Sequence, residues 1–113
     1  MSLCILTSCV QKIEKDKLVG RYVWSDNRID TLEIRADGTY EYWTIKPGRK
    51  IANSGAWKFN STLNDIEFAS ENFPFLNNHD PEGSWFSRVR SKDNEIHLMY
   101  EIDSDIYLRK IKN

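Results

Sequence analysis

The chain has 113 residues, enough for one small domain, and its 16 basic and 17 acidic side chains leave a formal net charge of −1. That balance excludes the basic footprint of a nucleic-acid-binding surface or of a broad attraction to anionic lipid. Aromatic residues make up 12% of the composition, a richness that suits strands whose rings pack across one another.

The first element is an address. Leu6-Thr7-Ser8-Cys9 has the pattern of a bacterial lipobox, an apolar residue and two small ones before the cysteine that receives lipid. Only Leu3, Cys4, Ile5 and Leu6 supply apolar character ahead of it, with no Lys or Arg, so residues 1–9 read as a truncated lipoprotein signal. Residues 10–17 are mostly polar and charged and read as a solvated tether. The expectation is a protein lipidated at Cys9 and anchored at a bacterial cell envelope, at its outer membrane, with membrane contact through the lipid alone. No other apolar run approaches the roughly 18 residues of a spanning helix. Cys4 and Cys9 are the only cysteines, so residues 18–113 hold no disulfide, thiolate zinc site or cysteine nucleophile.

From Gly20 onward, period-two alternation dominates. Gly20–Trp24 is a first predicted strand with Tyr22 and Trp24 on one face, and Asp30–Arg35 a second with Leu32 and Ile34 aligned. Ala36-Asp37-Gly38 is the strongest turn signal, because Gly38 can take the left-handed conformation that ends a three-residue hairpin loop. Pairing Arg35 with Thr39 then sets Ile34 against Tyr40 and Leu32 against Tyr42, and sends Trp43 to the polar face. Lys46–Arg49 turns the chain into Ile51–Phe59, where Gly55, Trp57 and Phe59 share a face, and Asp65–Ala69 carries Ile66 and Phe68. After a long connection, Ser70–Gly83, come strands Ser84–Arg90, Glu95–Tyr100 and Asp105–Lys110. Eight short strands joined by turns predict an all-β antiparallel meander closing into a barrel over residues 18–113, which removes the exposed edges.

Gly20-x-Tyr22-x-Trp24, Leu32-x-Ile34-x-x-Asp37-Gly38-Thr39-Tyr40 and Gly55-x-Trp57 together resemble the small lipocalin-like lipoproteins of bacteria, within the calycin group. The resemblance implies a lipocalin-like barrel, with a basic residue late in the chain, Arg109, packed over Tyr22 or Trp24. A barrel of this size either fills with its own side chains or holds one small ligand. The expected binding residues are Tyr22, Trp24, Tyr40, Tyr42 and Trp57 inside the barrel, and Phe73 and Phe75 of the long connection as a flap over its mouth.

Signatures of catalysis are absent: there is no G-x-S-x-G elbow, phosphate-binding glycine loop or H-E-x-x-H. Asp26 and Asp30 lie in turn-forming sequence where such residues are ordinary. His79-Asp80-Pro81-Glu82 matches no defined metal motif, and His97 alternates with Ile96 and Leu98, which places it on the solvent face. No cofactor, metal or catalytic residue is therefore assigned. The expected function is non-enzymatic binding of a small apolar or amphipathic molecule. The alternative is a solid barrel that docks onto an envelope protein through Trp43 or the Phe73–Leu76 loop.

Overall fold

Alternating side chains give each strand one apolar face, and that face is satisfied only when the sheet curls around it. The computed structural model describes residues 12–69, 84–101 and 103–112. Its strands are β1 (Gly20–Trp24), β2 (Thr31–Ile34), β3 (Thr39–Lys46), β4 (Arg49–Asn60), β5 (Asp65–Ala69), β6 (Ser84–Lys92), β7 (Glu95–Glu101) and β8 (Ile106–Lys112). Each pairs antiparallel with the next, and β8 returns to β1 to close the barrel. The all-β, eight-stranded meander expected from the sequence is the fold.

The β2–β3 register is the one the turn dictates: Ile34 opposes Tyr40 and Leu32 opposes Tyr42. Gly38 takes a φ of +92°, and the Asp37 carboxylate accepts hydrogen bonds from both the backbone N–H and the hydroxyl of Thr39 (3.0 and 2.6 Å). Those two donations, the hydroxyl's first, hold the Asp37 carboxyl below its usual pKa. Gly55 is required by close approach: a Cβ there would run into the Ala69 carbonyl oxygen and press on the Tyr40 ring.

One end of the barrel is plugged by the chain itself. Residues 12–17, expected as a solvated tether, are only partly so: Ile13 is buried, and Lys15–Leu18 forms a single 3₁₀ turn that buries Leu18 completely. The Leu18 carbonyl accepts from the Tyr22 hydroxyl at 2.8 Å, and the Lys17 carbonyl accepts from Lys110 Nζ at 2.7 Å. Trp57 completes the plug, donating Nε1–H to the Arg35 carbonyl (2.9 Å) beneath the Lys15 ammonium. The β2–β3, β4–β5 and β6–β7 turns lie at this end.

Two expectations for the outer face need correction. His97 is 3% exposed rather than solvated, because Tyr107 of the next strand stacks on its ring at 4.0 Å. Its ring nitrogens are engaged by Arg90 and Glu95, each at 2.9 Å. Alternation fixed its face correctly but said nothing of what covers that face. Arg109 does not cover Tyr22 or Trp24. It opposes Val23 on β1, so it points outward, where Glu95 lies 4.0 Å away. Trp43 does sit on the outer face, half-buried between the Arg21 and Lys50 cations.

Candidate functional site at the barrel mouth

The opposite end is framed by the connection between β1 and β2 (residues 25–30), the β3–β4 turn and the β7–β8 turn. β5 runs toward this end and β6 away from it. The residues that join them, including the expected Phe73 and Phe75 and the His79-Asp80-Glu82 group, lie outside the described residues, as does Cys9.

The five aromatic residues expected to line a pocket inside the barrel all face its interior, none more than 4% exposed. Trp24 meets Tyr100 edge-to-face at 5.4 Å, Tyr100 meets Trp85 at 6.3 Å, Trp85 stacks on Phe68 at 5.3 Å, and Phe68 meets Tyr40 at 5.1 Å. These contacts form a continuous row of rings from the mouth into the barrel, in the geometries that aromatic quadrupoles favour. The row divides the five: Trp57 and Tyr22 serve the plug, whereas Trp24 and Tyr42 stand at the mouth and Tyr40 lies between, its hydroxyl donating to the Ala69 carbonyl at 3.1 Å.

At the mouth the polar tips are linked in sequence. Trp24 Nε1–H donates to the Tyr42 hydroxyl (3.1 Å), which donates to Asp30 Oδ2 (2.6 Å). Burial, and then donation to the Asp30 carboxylate, push the Tyr42 hydroxyl well above the ordinary phenol range, so it stays a neutral donor at physiological pH. Arg28 lies over the rings at this end. Its guanidinium carbon is 4.4 Å from the Trp24 ring centroid and 5.1 Å from that of Tyr100, over the ring faces that attract a cation. Asp26 fixes it from outside, accepting from the Arg28 backbone N–H at 3.1 Å and facing Nε at 3.3 Å. Arg28 Nη1 is buried without a hydrogen-bond partner among the described residues, though the side chain as a whole is 35% exposed.

Arg28, Trp85 and Tyr100 were not among the expected binding residues, and Asp30 was set aside as turn-forming. The pattern Trp24-x-Asp26-x-Arg28-x-Asp30 directly after a strand is the one sequence signal that could have raised the loop. Among the described residues no three His, Cys, Asp or Glu side chains converge to hold a metal ion. What this end offers chemically is a set of rings, a neutral hydrogen-bonded phenol, a carboxylate and a cationic donor with a buried nitrogen.

No family model matches the chain, and no curated protein matches it. Among solved structures it is similar to an uncharacterized protein from Bacteroides eggerthii, with a TM-score of 0.55 and 15% identity over 82% of this chain and 98% of the other. At that identity the likeness concerns the fold alone.

Proposed function

We propose that this barrel is a non-enzymatic binding protein for a small apolar or amphipathic molecule, received at the mouth beside Trp24, Tyr42 and Arg28. The observation that carries the proposal is the row of rings running from Trp24 through Tyr100 and Trp85 to Phe68, joined at its outer end to polar groups. Binding sites of this kind combine mostly apolar walls with a few placed polar atoms. The lipobox-like Leu6-Thr7-Ser8-Cys9 supports placing the protein at a bacterial cell envelope through a lipid on Cys9. Mass spectrometry of the protein purified from its native host under non-denaturing conditions tests the binding role. A co-purifying small molecule lost on Trp24→Ala is the expected result, and a protein that always carries nothing and takes up no amphiphile defeats it.

A second reading has its own observation. Phe86 on the outer wall and Leu63 in the β4–β5 turn are 63% and 57% exposed and, with Phe59, line a surface groove of about 520 Å³. A partner protein in the envelope would cover such side chains. Phe86→Ser would then abolish capture of that partner without touching small-molecule uptake.

A further inference from the structure

Given the binding role proposed above, we infer that the ligand's polar end is an uncharged carbonyl-type acceptor, received by Arg28 Nη1 at the mouth of the barrel. Arg28 is built in from three sides. Asp26 holds its Nε and its backbone N–H, while Trp24 and Tyr100 take its faces. Ring faces attract the cation but offer no lone pair in the guanidinium plane, where an N–H donates. Among the described residues no acceptor meets Nη1, which is buried. A buried donor on a charged group that lacks an acceptor is costly, so an acceptor atom brought by a ligand gains more there than at a solvated arginine.

Charge decides which acceptor. The Arg28 guanidinium already has the Asp26 carboxylate at 3.3 Å, and a second carboxylate, Asp30, stands at this end, held by the Tyr42 hydroxyl at 2.6 Å. The Arg28 charge is thus already paired with a carboxylate before any ligand arrives. A carboxylate ligand would shed its water beside aromatic rings and add a further negative charge next to Asp26 and Asp30. An amide, ketone or ester oxygen accepts the same hydrogen bond without that penalty.

The test is a matched pair of probes, hexanamide and hexanoate, titrated calorimetrically at pH 7 into the full chain and its variants. Hexanamide is expected to bind at least about tenfold tighter than hexanoate. Arg28→Met should weaken hexanamide about ten- to a hundredfold, the scale of one charge-assisted hydrogen bond. Arg28→Lys keeps the charge but not the planar fork, and should lose nearly as much. Asp30→Asn should narrow the gap by favouring hexanoate. Were Arg28→Met not to fold, Arg28→Lys and Asp30→Asn still decide the matter. Equal or tighter binding of hexanoate overturns the inference while leaving the binding role standing, as does hexanamide affinity indifferent to Arg28. Binding of neither probe at millimolar concentration overturns both.

Discussion

The two ends of the barrel treat the same kinds of side chain in opposite ways. At the plugged end every polar tip of an inward ring meets a backbone carbonyl: Tyr22 donates to Leu18, and Trp57 to Arg35. At the mouth the rings instead bond side chains, Trp24 to Tyr42 and Tyr42 to Asp30, and a guanidinium lies among them with a buried nitrogen unmet. Carbonyls of the chain are fixed by the fold, and donors satisfied by them specify one packing. Side-chain partners can be exchanged for a ligand's atoms. On the binding role proposed here, the difference between the ends is that between a group committed to stability and one left open to recognition.

The largest expected effect lies in the plug. Trp57→Ala removes a ring that is 4% exposed and should cost about 3–5 kcal/mol, read as a lowered urea midpoint with an unchanged m-value. Tyr22→Phe keeps the ring and removes only the donor, leaving the Leu18 carbonyl without that hydrogen bond, at a cost of about 1–3 kcal/mol. If either variant proved neutral, the plugged end would not be the stability anchor of the barrel. The comparison would then collapse.

The strands and their tight turns were far more legible than the segments that cover the two barrel ends, for a physical reason. The Asp37-Gly38 turn is local: glycine's left-handed freedom fixes the β2–β3 register, and the register fixes which faces Leu32, Ile34, Tyr40 and Tyr42 present. Alternation carries the same information along every strand, so the inward rings Tyr22, Trp24, Tyr40, Tyr42 and Trp57 could be read residue by residue. Arg28 lies in an aperiodic loop, and only barrel closure brings it against Tyr100 on a strand distant in sequence. The resemblance pointed to a cation over the first-strand tryptophan and named Arg109. The β1–β8 register turns Arg109 outward, and Arg28 lies over Trp24 instead. His97 shows the remaining gap: periodicity yields a direction, whereas burial depends on neighbours such as Tyr107.

Replacing Arg28 by Met sharpens the contrast from the other side. The change loses ring contacts and an ion pair with Asp26 that is partly exposed, and it removes a buried nitrogen that has no partner. These effects oppose each other, so thermal unfolding should place the variant within about 1 kcal/mol of the parent. A loss as large as that of Trp57→Ala would mean that the mouth is as structural as the plug.

The smallest effect is a pH dependence at the plugged end. The Asp37 carboxyl titrates lower in the fold than in the unfolded chain, chiefly because the Thr39 hydroxyl donates to it and then because the Thr39 backbone N–H does. A depressed carboxylate contributes stability that is present above its unfolded pKa and is lost as pH falls through the folded value. Thr39→Val deletes the larger of the two donations without altering the charge. Its effect should therefore be seen at neutral pH and fade on acidification, as both proteins protonate Asp37 and converge. The urea midpoint of parent and variant, followed from pH 7 downward, reads this out. A gap that stays constant with pH would assign the role of Thr39 to its strand preference rather than to the Asp37 carboxylate. The β2–β3 hairpin would then owe its register to Gly38 and the flanking apolar pairs alone.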